Sequence, residues 1–168
     1  MRQRDIEFQT SDHVTLRGWL FTPEGYSGSK LPCLVMTVGF SGVKEMGLPL
    51  FAEYFVKNIP IACLAYDHRG FGSSDVQEGQ PRQEVDPRMQ QSDYSDAITF
   101  AQGLSEVNPE QIAIWGTSYS GGHVIYVGAV DRRVKAVLSQ VPFVNGWETF
   151  SRSVRPDLTS NILQLCYD

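Results

Sequence analysis

Cysteine is scarce: Cys33, Cys63 and Cys166 are the three in 168 residues. They show neither CxxC spacing nor an even count, which argues against a disulfide framework or a zinc site. Cys33 and Cys63 fall inside apolar runs and read as small core residues. Long hydrophobic runs are missing too. None approaches the roughly 20 residues that span a bilayer, and the opening MRQRDIEFQT lacks the apolar centre of a secretory signal. The expectation is a cytoplasmic protein with no membrane partner. Positive charge is also in short supply, with 14 Lys and Arg against 19 Asp and Glu and a net charge of -5, so nucleic acid is not an expected partner. No cofactor and no metal are expected.

A chain of this length suffices for one hydrophobic core, since domains of this size bury about 70% of the surface that their unfolded chains expose. No repeat, low-complexity tract or linker divides it, so residues 1–168 read as a single domain. The stretches RDIEFQT and VTLRGWLF alternate apolar and polar positions around SDH and predict an antiparallel hairpin. CLVMTV, IPIACLAYD, QIAIWG and VKAVLSQV are short apolar runs of the kind found in strands buried on both faces.

Between them lie helical patterns. One falls within residues 44–58, with Leu50, Phe51, Tyr54 and Phe55 at helical spacing and Asn58 as a left-handed stop. A second starts at the Asp86–Pro87 cap and runs to Val107 with Tyr94, Ala97, Ile98, Ala101 and Leu104 as its apolar stripe. A third spans 119–130, and the tail after Pro142 holds two short pieces, GWETFSRSV and DLTSNILQL. HRGFGSSDVQEGQPRQEV is polar, glycine-rich loop. Strands alternating with helices predict a mostly parallel sheet with helices on both faces.

The stretch IWGTSYSGGH sets Ser118 between a buried strand and a helix. A tight bend there lifts a hydroxyl above the carboxyl ends of the strands, where open α/β sheets bind ligands, and leaves the first helical amides free to meet negative charge. A nucleophilic serine needs such fixed donors, because its oxyanion must be stabilised as it forms. The plainer alternative is a serine that caps the helix, with Gly116, Ser120, Gly121 and Gly122 small only for close packing.

Two more segments leave the same edge of the sheet: VGFSGVKEM after one strand and AYDHRGFGSSD after the next. Together the three resemble the α/β-hydrolase superfamily: GTSYSG is similar to its nucleophile elbow, with Ser120 in place of the last glycine. YDHRGFGSS is similar to its D-x-R-G-x-G-x-S turn, and VGFSG to its oxyanion loop. GFSGVKEM, DPRMQQSDYSDAITF and GTSYSGGH together resemble the microbial and fungal thioesterase and polyketide-transferase type of hydrolase. The resemblance covers the N-terminal half of the family domain.

It implies an α/β-hydrolase fold with an N-terminal antiparallel hairpin, truncated after about the sixth strand. It implies Ser118 as nucleophile, with the backbone N–H groups of Tyr119 and Phe40 as oxyanion donors. Asp67, Arg69, Gly70 and Gly72, with Gly39 and Gly116, are implied as residues that shape turns. Val38 stands where many relatives carry a histidine.

In such hydrolases an acid and then a histidine come after the serine. Beyond residue 118 the only histidine is His123. A helical displacement of about 7.5 Å and about 140° turns it away from Ser118. His68 leaves a strand two positions from the serine's strand, about 10 Å away at the backbone. His13 belongs to the hairpin turn, which is expected on the far side of the sheet. Asp131 and Asp157 are carboxylates without a histidine to orient. An apolar pocket lined by Tyr119, Trp147 and the loop after Pro142 is one reading of those aromatics, plain packing the other.

Two functions stay open. One is a hydrolase or acyltransferase acting on a small-molecule ester or thioester, with acid and histidine from outside this chain. The other is a truncated, non-catalytic relative that binds an acyl or polyketide ligand or a partner protein. The abrupt LQLCYD ending also allows a mere fragment. If VKAVLSQV is the last strand its edge is unpaired, and a second copy or a complementing chain is expected to cover it.

Overall fold

The computed structural model describes residues 1–26, 28 and 30–165. Six strands form one mixed sheet: β1 (Arg2–Gln9), β2 (Thr15–Thr22), β3 (Leu31–Thr37), β4 (Ala62–Tyr66), β5 (Val107–Thr117) and β6 (Val134–Gln140), in the order β1-β2-β4-β3-β5-β6. The hairpin is antiparallel, from Arg2 against Thr22 to Gln9 against Thr15, and β2 runs antiparallel to β4. All other pairings, β4 with β3, β3 with β5 and β5 with β6, are parallel. The expected sheet is therefore present. Cys166 and the end of the tail lie outside the described residues.

Helices cover both faces. α2 (Pro87–Gly103) and α3 (Ser118–Val130) lie on one, where Tyr94, Ala97, Ile98, Ala101, Val124 and Val127 meet Val35, Leu64, Ile112 and Ile114. α1 (Leu48–Asn58) lies on the other with Leu34, Met36, Cys63 and Trp115 beneath it. All five residues of β4 are buried, which is why the run reads as continuously apolar rather than alternating. Cys33 and Cys63 are buried, and burial pushes the Cys33 thiol up to about 12. Both are core residues rather than reactive thiols.

Four local expectations are corrected. The buried stripe of α1 is Leu48, Ala52 and Val56; Leu50 and Tyr54 are 75% and 65% exposed. The small Ala52 faces the sheet between Leu48 and Val56, and Phe55 packs against the same cluster, so Leu50 and Tyr54 are left on the outer side. Asn58 is not left-handed. The helix ends as Ile59 turns extended, and the Asn58 side chain donates to the Tyr54 carbonyl at 2.7 Å.

α2 stops at Gly103, and Val107 already belongs to β5, pairing with Leu31 before an irregular stretch that rejoins the ladder at Ile112. The hairpin turn lies on the same rim as the loop after β4, not on the far side. Because β2 runs antiparallel to β4, the start of β2 meets the end of β4, and Asp12 in the turn binds Arg69 at 2.7 Å.

At the far edge, β6 leaves Lys135, Ala136, Val137 and Leu138 exposed. α4 (Gly146–Ser153) and α5 (Pro156–Leu165) come next as the two short helices expected of the tail.

Candidate active site

β5 passes into α3 with no intervening loop, and Ser118 takes φ 54°, in the left-handed region. For a residue other than glycine such a conformation costs about 1–3 kcal/mol and persists only where the surroundings impose it. A side chain at Gly116 would overlap the Ser120 carbonyl, and one at Gly122 would overlap the Phe143 carbonyl. The Phe143 N–H donates to the Ser118 carbonyl at 2.8 Å. The bend is thus clamped from two sides, by its own helix and by the chain leaving β6.

Ser118 itself is exposed, and its hydroxyl has no hydrogen-bond partner among the described residues. The helix-capping alternative does not hold, because the cap position is Thr117 and Ser118 is the first helical residue. The Tyr119 amide next to it belongs to the first helical turn, whose N–H groups lack intrahelical acceptors.

The segment after β3 lies against this serine. A Cβ added to Gly39 would stand 3.0 Å from Ser118 Cβ and 3.5 Å from Ser118 Oγ, so the Gly39 backbone lies against the serine and a side chain there would crowd it. Phe40 is 64% exposed, with its ring edge-on to Tyr119 at 5.6 Å. Tyr119 also meets Phe143 at 5.3 Å and His123 at 4.7 Å. An aromatic cluster therefore flanks the serine. Trp147 stacks on Phe150 at 6.2 Å, so Phe143 rather than Trp147 is the aromatic from the later segment that joins it.

Behind the serine lies a buried polar cluster that sequence reasoning missed. Ser120 is fully buried; its hydroxyl donates to the Val38 carbonyl, accepts from Thr37 Oγ1 at 2.8 Å and contacts His68 Nε2 at 3.0 Å. Thr37 Oγ1 lies 2.6 Å from the Tyr94 hydroxyl, which also stands 3.0 Å from the Trp115 carbonyl. The available signal was Ser120 in a place where the motif has glycine.

The other motif residues brace the loop after β4. Asp67, fully buried, accepts from the Lys44 N–H at 2.6 Å, from Lys44 Nζ at 2.7 Å and from the Ser73 N–H at 3.0 Å. Gly72, at φ 50°, lies so close to that carboxylate that any side chain would overlap it. Arg69 binds Asp93 at 2.5 Å and Asp12 at 2.7 Å, and Gly70 accepts from the Gln83 N–H at 3.2 Å. Burial lifts Asp93 to about 6 against the opposing pull of Arg69.

Neither buried histidine is placed as a free base. Burial pulls His68 down to about 3, helped by His123 and Arg69, and pulls His123 down to about 4. His123 Nε2 lies 3.0 Å from Gln90 Oε1. Asp131 is held by Arg133 at 2.6 Å and Asp157 by Arg155 at 2.7 Å.

A serine on a strand-to-helix elbow above a mixed sheet, with a glycine loop against it, defines a class of protein. Residues 33–164 match the family described as alpha/beta hydrolase fold, and the chain belongs to that family. Among its relatives are the quorum-quenching protein AidA of Acinetobacter baumannii, 39% identical over 161 residues, and the thiohydrolase aneE of Aspergillus aculeatus, 41% identical over 160. These alignments cover 96% and 95% of this chain but 50% and 47% of the relatives. A crystal structure of the α/β hydrolase GrgF from a Penicillium species superposes with TM-score 0.82 and 35% identity, over 99% of this chain and 53% of that one. The chain thus spans about half the length of the relatives it matches. No helix among the described residues is long and apolar enough to cross a membrane.

Proposed function

We propose that this chain carries the nucleophile half of an acyl-transfer site acting on esters or thioesters. Ser118 Oγ attacks the substrate carbonyl, and the N–H groups of Tyr119 and Phe40 stabilise the oxyanion. The Ser118 proton passes to the relay base and from it to the leaving thiolate or alkoxide as the tetrahedral intermediate collapses to an acyl-serine, and water or a second nucleophile then accepts the acyl group and returns the proton to Ser118. The observation that carries this reading is the exposed Ser118, strained at φ 54° with Gly39 against it. The thioester preference rests on relatives named thiohydrolase and polyketide transferase.

The proton relay needs a histidine and an acid, and His68 and His123 are both engaged in packed contacts. We propose that the polypeptide completing the fold, whether as a continuation of this chain or as a separate one, supplies both groups and covers β6. The test is a single-turnover reaction with an N-acetylcysteamine acyl thioester, with and without the matching C-terminal half of a relative. Intact-mass analysis should show one acyl group on Ser118, formed faster when the second half is present. No acyl adduct under either condition, or equal acylation of Ser118→Ala, would overturn the reading.

A further inference from the structure

We infer that Ser120 is a positioning residue, a latch whose hydroxyl holds the Val38–Phe40 backbone against the elbow so that the Phe40 amide faces the oxygen formed at Ser118. This rests on the reading of Ser118 as nucleophile and deepens it. The two residues share the first turn of α3, while Val38 lies 82 positions earlier and directly precedes Gly39 and Phe40. The Ser120–Val38 contact is therefore a hydrogen-bonded tie from the elbow to the backbone of the glycine loop, beside the ring contact of Phe40 with Tyr119.

The count of protons gives the latch a direction. Ser120 Oγ meets three groups: the Val38 carbonyl, Thr37 Oγ1 and His68 Nε2. A carbonyl can only accept, so the single Ser120 proton goes to Val38, and the two lone pairs of Ser120 are left to accept from the others. Thr37 supplies one proton. The other must come from His68, which is therefore neutral with its hydrogen on Nε2.

Two independent observations agree. His68 Nδ1 is buried without a partner, and an unmet lone pair costs less there than an unmet N–H would. Burial also disfavours the charged imidazolium that would carry a hydrogen on both nitrogens. His68 and Thr37 thus lock the Ser120 hydroxyl toward Val38, and with the Thr37 proton committed to Ser120 the contact at 2.6 Å between Tyr94 and Thr37 is met by the Tyr94 proton, which holds Thr37 from behind.

Ser120→Ala removes the donor and leaves the Val38 carbonyl and His68 Nε2–H unmet. With a fluorophosphonate probe, the maximal rate of Ser118 modification should fall about 10- to 100-fold, short of the 10²–10³ loss for a deleted oxyanion donor, while probe affinity stays unchanged. Backbone 15N order parameters over Val38–Ser41 should drop from near 0.85 toward about 0.6. Ser120→Thr, which keeps the hydroxyl, should restore both, and Tm values establish that the variants are folded. In the wild-type chain, 15N spectra should show the Nε2–H tautomer at His68.

An Nδ1–H tautomer overturns the latch, and so do unchanged order parameters with an unchanged rate in Ser120→Ala. If the alanine variant does not fold, the wild-type tautomer decides. Loss of order in that variant without labelling of the wild type would keep the latch and remove the acyl-transfer reading instead.

Discussion

At the scale of single residues, the site is built by what small side chains allow. Gly116 admits the Ser120 carbonyl, so Gly116→Ala forces backbone against backbone. We expect destabilisation of about 3 kcal/mol, and hence a Tm lower by about 6–12 °C for a chain of this size. A calorimetric shift under about 2 °C would contradict the clamped bend.

His68 gives a pH prediction. Its folded value is drawn by burial to about 3 against about 6.5 unfolded, so below pH 6.5 the unfolded chain binds a proton that the folded chain refuses. The stability it contributes is present above pH 6.5 and lost as pH falls toward 3. Urea melts at pH 7 and pH 4.5 should differ by about 2 kcal/mol less in His68→Gln than in the wild type. Equal differences would place His68 in contact with water.

The place of Ser118 on a strand-to-helix bend was legible because an apolar run ends at Gly116 and a helical pattern begins directly after it. Ser120 was not legible as a donor. Its partners Val38, Thr37 and His68 come from segments 82, 83 and 52 residues away, and no local pattern couples them.

Among the elements, legibility tracked burial. β4 stood out because every side chain in it is buried, and the hairpin because β1 and β2 alternate. α1 misled because Leu50 and Tyr54 of the expected stripe face outward while the small Ala52 meets the sheet. This makes a paired test: Val56→Ala should cost about 2 kcal/mol, whereas Leu50→Ala, at an exposed position, should change stability by less than about 0.5 kcal/mol. Denaturant midpoints in the reverse order would restore the stripe expected from spacing. The end of α2 misled for another reason: Leu104 continues the helical spacing, but Val107 gains a strand partner in Leu31.

For the whole molecule, the conspicuous feature is the outer edge of β6. Val137 and Leu138 are 41% and 37% exposed, and no strand among the described residues pairs with the outer side of β6. A parallel strand with apolar side chains on an open edge is a template for association. Replacing Leu138 by Lys, which leaves Val137 packed against Gly128 of α3, should reduce self-association of the 168-residue chain in sedimentation velocity with little change in the melting transition. It should also weaken capture of the completing half. An association state indifferent to the substitution would remove β6 from the interface.

The central claim concerns one oxygen and two amides. Its most direct test is the crystal structure of the chain, joined to its completing half, after reaction with a phosphonate ester. The account predicts phosphorus on Ser118 Oγ and a phosphoryl oxygen about 2.7–3.1 Å from the backbone nitrogens of Tyr119 and Phe40. A folded complex modified elsewhere, or an adduct whose phosphoryl oxygen points into solvent away from residues 38–40, would contradict it.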